Sequence, residues 1–256
     1  MFILRTQSLS KHFGGLLAIN DVDLYINEGE ILGLIGPNGS GKTTFLNLVN
    51  GLLKPTGGKV IFQGEDISGL PSHILTKKGI GRTFQQNVLF KMATVWENVL
   101  ISHEINYRGR LWESFFNLYR SRIEEKEAQE STFNILEEMK LLAWKDKVCN
   151  DIPHGIQRMV GIAVATAVRP KLMLLDEPFA GLNLSEIANM VNQIKRLRQN
   201  GATILMVEHR MKAVMDLSDR IVVLNFGKKI AEGLPEEIKD NEEVIKAYLG
   251  DRIHAF

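Results

Sequence analysis

Gly36-Pro37-Asn38-Gly39-Ser40-Gly41-Lys42-Thr43-Thr44 follows the apolar run Ile31-Leu32-Gly33-Leu34-Ile35 and precedes Phe45-Leu46-Asn47-Leu48-Val49, which reads as helical. The pattern G-x-x-x-x-G-K-[ST] is a phosphate cradle. Its glycines let backbone N–H groups turn inward around phosphate oxygens, Lys42 supplies a positive charge, and the Thr43 hydroxyl can ligand Mg²⁺. A helix starting near Lys42 adds the positive end of its dipole to the same anion site. Strand, glycine loop and helix in that order are the context the motif requires. They favour nucleoside triphosphate binding over the alternative, a Gly-rich turn with no ligand.

Around this loop, residues 18–26, 31–35 and 59–62 alternate in the manner of strands, separated by turn signals at Asn27-Glu28-Gly29 and Pro55-Thr56-Gly57-Gly58. From about residue 95 to 167 the spacing becomes helical. Its charged middle, residues 120–130, reads as a solvated face, and Phe133, Leu136, Met139 and Leu142 are its apolar positions. Residues 171–175, 202–207 and 219–224 are continuous apolar runs of the kind buried in a parallel sheet, with helical stretches at 185–199 and 210–217 between them. The order implies an α/β core interrupted by a helical subdomain.

The second half of the site lies at Leu174-Leu175-Asp176-Glu177-Pro178, where two carboxylates end an apolar strand, the place where a parallel sheet presents ligands. Beside a phosphate cradle, Asp176 would hold the Mg²⁺ shell and Glu177 could orient or deprotonate an attacking water. Glu208-His209 closes the next apolar strand, so both strand ends could face one γ-phosphate.

Composition narrows the partners. Among 256 residues, Lys plus Arg number 31 and Asp plus Glu 30, so no net field draws the chain to nucleic acid or an acidic membrane. Cys149 is the only cysteine, which excludes internal disulfides and a cysteine metal cluster and points to inert packing in a reducing compartment. Met1-Phe2-Ile3-Leu4-Arg5 lacks the basic start of a signal peptide, and no run reaches the roughly 18 apolar residues of a membrane span. The expectation is a cytosolic chain that meets the membrane through another protein.

The residues 36–44, Gln85 in Arg82-Thr83-Phe84-Gln85, Gly155-Ile156-Gln157-Arg158, Asp176-Glu177-Pro178, Ala180-Gly181-Leu182-Asn183 and Glu208-His209 together resemble the nucleotide-binding subunit of an ABC transporter, in the family's order and along the whole chain. The resemblance implies an α/β P-loop ATPase with an N-terminal antiparallel β subdomain. It places the core at residues 1–94 and 168–256 and the helical signature subdomain at 95–167. It also implies roles for single residues. Phe13 would stack on adenine, although core packing is an alternative for this side chain. Gly36, Pro37, Asn38, Gly39, Ser40, Gly41, Lys42, Thr43 and Thr44 would hold ATP. Thr43, Asp176 and Gln85 would bind Mg²⁺, with Gln85 linking it to the transmembrane contact. Glu177 would be the general base and His209 the γ-phosphate sensor. The stretch from Asn87 to Met92, with apolar Val88, Leu89 and Phe90, is where such subunits dock a membrane helix.

Phe13-Gly14-Gly15-Leu16, Asn20-Asp21-Val22, Gly79-Ile80-Gly81-Arg82 and Val244-Ile245-Lys246-Ala247-Tyr248-Leu249-Gly250 are similar to the branch that imports branched-chain and other hydrophobic amino acids; its relatives carry urea or amides. That branch pairs a second ATPase subunit with two transmembrane permease subunits, fed indirectly by a solute-binding protein, on the cytoplasmic face of the inner membrane. Export, or a soluble ATPase acting on nucleic acid, is the alternative. The latter lacks the coiled coils and basic stripes it would need.

One segment departs from the family. Its signature, Leu-Ser-Gly-Gly-Gln, is replaced by Ile152-Pro153-His154-Gly155-Ile156. In the family the serine hydroxyl and adjacent N–H groups bind the γ-phosphate of ATP on the partner's P-loop, so Gly155 would act in trans. Pro153 has neither hydroxyl nor N–H. Losing one charge-assisted hydrogen bond costs about 1.5–3 kcal/mol, roughly ten- to a hundredfold in closing that site. His154, if protonated, could replace part of the contact. The expectation is an asymmetric heterodimer, against the alternative that both replacements are tolerated without effect.

Overall fold

The computed structural model describes residues 1–83, 89–107 and 118–253, leaving Gln85 and Val88 outside the described residues. Two sheets organise it. The strands β1 (Phe2–Phe13), β2 (Leu16–Val22), β3 (Tyr25–Asn27), β5 (Gly57–Phe62) and β6 (Glu65–Asp66) form an antiparallel sheet in the order β2-β1-β5-β6, with β3 also paired to β1. The second sheet contains β4 (Ile31–Ile35), β7 (Ile80–Thr83), β8 (Leu172–Asp176), β9 (Thr203–Val207), β10 (Arg220–Asn225) and β11 (Lys228–Gly233), in the order β11-β10-β4-β9-β8-β7. All its pairings are parallel except β10 with β11.

The apolar runs make this sheet buried on both faces. Successive side chains on a strand point to opposite sides. Ile31, Ile35, Met173, Leu175, Ile204, Met206, Ile221 and Val223 join one core cluster, and their neighbours Leu32, Leu34, Leu172, Leu174, Leu205, Val207, Val222 and Leu224 join the other. The first is covered by α5 (His154–Ala167), α6 (Leu184–Gln199) and α7 (Met211–Leu217); the second packs against α1 (Lys42–Val49) and the antiparallel sheet.

Between β7 and β8 the described elements are helical: α3 (Val95–Tyr107), α4 (Leu118–Glu138), two short 3-10 turns and α5. The inward stripe of α4 differs from the expected one. Ala128, Thr132, Ile135, Leu136 and Met139 are buried whereas Phe133 is 44% exposed, because the spacing 128-132-135-139 follows one helix face and position 133 lies off it. Cys149 is buried, accepts a hydrogen bond from Asn98 Nδ2 at 3.3 Å, and its thiol pKa is pushed up by burial, as inert packing requires. Among the described residues no helix is long and apolar enough to cross a membrane.

Candidate functional site: a cleft at the carboxyl edge of the parallel sheet

Because β9 runs between β4 and β8, three strand ends lie side by side. Leu34 and Asp176 are both level with Val207, and Glu177 N–H donates to the Val207 carbonyl at 2.9 Å. The glycine loop after β4, the Glu177 turn after β8 and the Glu208-His209 turn after β9 therefore open on one edge. A cleft of about 380 Å³ occupies it, lined by Asn38, Gly39, Gly41, Lys42, Thr43, Thr44, Glu177 and His209, and on its apolar side by Phe13, Leu16, Leu17, Ala18 and Phe226. Phe13 is 45% exposed there, so its ring is not part of the core.

The loop is shaped by its own backbone. Gly36 has φ 151, and a Cβ there would lie 2.1 Å from the Leu224 carbonyl oxygen, so no other residue fits. Gly41 sits at the N-cap of α1 in the left-handed region, with no side chain capping the helix. The first-turn N–H groups, met by no side-chain cap, are the donors that an anion would take. Lys42 is buried, its Nζ donating to the Gly36 and Pro37 carbonyls at 2.8 Å each.

Opposite stand the acids. Glu177 adopts φ 49, a strained conformation for a side chain of this size. Its Oε1 lies 3.1 Å from His209 Nε2, with the carboxylate 13% and the imidazole 45% exposed. Asp176 is buried. Its Oδ2 accepts from Arg82 Nη2 at 2.9 Å, while Oδ1 has no partner among the described residues. A buried carboxylate oxygen left over, on the same edge as the Thr43 hydroxyl, suits Mg²⁺, which takes one or two protein oxygens and completes its shell with phosphate and water. Arg82 in turn donates through Nη1 to Asn47 Oδ1 on α1 at 2.7 Å, tying the β7 end to the P-loop helix.

Glu208 has no catalytic look but holds the edge together. Fully buried, it accepts from Phe179 N–H at 2.8 Å through Oε1, and from His209 and Arg210 N–H at 2.9 and 3.2 Å through Oε2. It clamps the turn that carries Glu177 to the turn that carries His209. Arg158, on α5, approaches the same group: burial lowers its pKa, and the Glu177, Glu208 and Asp176 charges work in the opposite direction.

The degenerate signature begins α5, with Pro153 as N-cap and no side-chain cap. Pro153 and His154 are exposed. Gly155 is buried, and a Cβ on it would come within 2.4 Å of Glu186 Oε1, the carboxylate that completes the capping box of α6 with Asn183. The His154 ring lies against Gly181, 3.1 Å from where a Cβ would stand. In the expected docking segment, Phe90 and Met92 are 61% and 86% exposed, while Leu89 packs on the core.

The sequence profile of the ABC transporter family matches residues 19–180, and that of the branched-chain amino acid ATP-binding cassette transporter matches residues 228–254. The chain belongs to the ABC transporter family. It is 42% identical over 97% of its length, and 98% of the relative's, to the high-affinity branched-chain amino acid transport ATP-binding protein BraF of Pseudomonas aeruginosa. Identity to LivG of Escherichia coli, described in the same words, is 40% with the same coverage. Among solved structures, the ADP conformation of an ATP-binding cassette of an ABC transporter superposes with a TM-score of 0.85 at 34% identity, covering 98% of this chain and 99% of that one. A dimeric post-hydrolysis cassette bound to ADP and Pi matches with a TM-score of 0.76 at 28% identity, over 91% of this chain and 98% of that one. This ABC protein is therefore an ATP-binding α/β cassette and an ATPase.

Sequence reasoning assigned no role to Arg82, Glu208 or Phe226. Arg82 follows Ile80-Gly81 and Glu208 ends the apolar run 202–207, places where a charge signals a buried partner. For Phe226 the signal is an aromatic where a hairpin prefers Asn or Gly.

Proposed function

We propose that this ABC ATPase binds Mg²⁺-ATP in the cleft and spends its hydrolysis on the uptake of branched-chain or other hydrophobic amino acids. The observation that carries the chemistry is the Glu177–His209 pair, 3.1 Å apart and on the same cleft as Lys42 and Thr43. Glu177 accepts the proton of the attacking water, His209 orients Glu177 and senses the γ-phosphate, and Lys42 leaves its carbonyl partners for phosphate oxygens. Thr43 and Asp176 would hold Mg²⁺, which when bound would supply positive charge against the phosphates. Phe13 takes the base.

The direction and cargo rest on the relatives at 42% and 40% identity over nearly the whole chain. A relative named as a lipopolysaccharide export ATP-binding protein, from Haemophilus influenzae, is 34% identical over 98% of this chain and supports export as the second reading. The working assembly is a heterodimer with a second ATPase subunit on two permease subunits, peripheral to the cytoplasmic face, with the exposed Phe90 and Met92 against the permease. The uncapped α5 offers N–H groups to the partner's ATP, but Pro153 brings no hydroxyl, so this chain's P-loop site is the stronger of the two.

The test is ATP-driven uptake into proteoliposomes holding both ATPases and both permeases, with external binding protein and labelled leucine. Leucine accumulation that requires ATP supports the proposal; solute efflux, or accumulation indifferent to leucine and its analogues, refutes the cargo.

A further inference from the structure

The turn that joins β10 to β11 carries the wrong residue for its own geometry. Asn225 pairs with Lys228, leaving Phe226 and Gly227 as a two-residue hairpin with φ 45 and 76. Two positive φ values define the turn type that Asn-Gly or Asp-Gly fits best, and a bulky side chain at its first position is strained. Burial does not offset that strain, because Phe226 is 83% exposed.

The turn is nevertheless held rigidly. Gly227 N–H donates to the Ser40 carbonyl of the P-loop at 3.0 Å, and Asn20 N–H donates to the Gly227 carbonyl at 2.8 Å. A Cβ at 227 would stand 2.7 Å from the Ala18 carbonyl oxygen, so the hairpin is wedged between the P-loop and β2. Phe226 is one of the residues that line the same cleft as Phe13 and Lys42.

An exposed aromatic, kept against its turn preference and bolted to the phosphate loop, is presented for a ligand. The polar lining suits phosphates, and an exposed aromatic on a cleft that Leu17 and Ala18 also line suits a nucleobase. We propose that Phe226 is a second aromatic contact for the base of the bound nucleotide, in addition to Phe13. The inference rests on the cleft's being the nucleotide site.

The experiment measures, by calorimetry on the full chain, the affinities for ATP and for inorganic tripolyphosphate, which carries the phosphates without a base. Phe226→Asn relieves the turn, so its melting temperature rises by about 2–4 °C. Its ATP affinity falls at least about fivefold while tripolyphosphate binding is unchanged. Phe226→Tyr, which keeps the ring, retains ATP affinity within about twofold. Unchanged ATP affinity in Phe226→Asn overturns the inference, as does an equal loss for both ligands, which would mean the turn acts through Ser40. If the unaltered chain binds tripolyphosphate but shows no gain for ATP, the base contact fails while the phosphate cradle stands. If it binds neither, the nucleotide reading fails with it.

Discussion

Replacing Glu208 separates its clamping role from the chemistry of its neighbours. Its carboxylate accepts three backbone N–H groups at 2.8, 2.9 and 3.2 Å, and the residue is 1% exposed. Glu208→Gln preserves the volume but turns one acceptor oxygen into an NH₂ that faces an N–H donor. A hydrogen bond to a charged group contributes about 1.5–3 kcal/mol, and a buried donor left unmade costs a similar amount. The expected loss in unfolding free energy is therefore about 2–4 kcal/mol for Glu208→Gln. The larger effect is on geometry. Phe179 and His209 are anchored through this one group, so loosening it lets Glu177 and His209 drift relative to the P-loop, and a displacement on the order of 1 Å lowers turnover about a hundredfold. Neither turn supplies the phosphate cradle itself, so ATP affinity stays within about threefold. Denaturant unfolding, nucleotide titration and steady-state phosphate release in the reconstituted complex read the three quantities independently. If Glu208→Gln turns over within twofold of wild type, or loses turnover and ATP affinity in equal measure, the clamp argument is wrong.

Arg82→Met strands the buried Asp176 carboxylate and costs about 3–5 kcal/mol, on the order of 10 °C in Tm, whereas Arg82→Met with Asp176→Asn recovers most of it; thermal melts of the single and double variants check this. Gly36→Ala drives a methyl group into the Leu224 carbonyl and destabilises the fold by several kcal/mol, whereas Gly39→Ala, with open space around it, costs only the roughly 1–2 kcal/mol of its left-handed backbone, which parallel urea titrations compare. His103 is buried, its Nε2 has no hydrogen-bond partner among the described residues, and burial, with the Arg169 charge adding to it, lowers its pKa below the ordinary histidine value. The unfolded chain then binds the extra proton, so the stability His103 contributes is present above its unfolded pKa of about 6.5 and falls as pH drops below it. A His103→Gln variant measured by denaturant unfolding between pH 5.5 and 7.5 should lose that slope.

What could be read from the chain was what short-range chemistry dictates. The P-loop needs its glycines and Lys42 within nine consecutive residues, and β4, β8, β9 and β10 are runs too apolar to lie anywhere but inside a sheet. β1 escaped because its alternation is interrupted: register shifts beside Lys11 and between Gln7 and Ser10 blur the period of two over its 12 residues. β11 is a half-buried edge strand, Lys-Lys-Ile-Ala-Glu-Gly, with no apolar run to betray it. Arg82 and Asp176 are 94 residues apart and Glu208 lies 29 from Phe179, so these contacts exist only once β7, β8 and β9 are neighbours. The α4 stripe was misplaced by the aromatic at 133, whose size suggested burial that the helix phase does not give it.

The most direct measurement is phosphate release by the reconstituted transporter carrying Glu177→Gln, beside nucleotide binding by the same complex. The account predicts that ATP binding and ATP-dependent association with the partner ATPase persist while release falls by about a hundredfold or more. Release at the wild-type rate would contradict Glu177 as the base and, with it, the reading of the Glu177–His209 pair as the centre of hydrolysis.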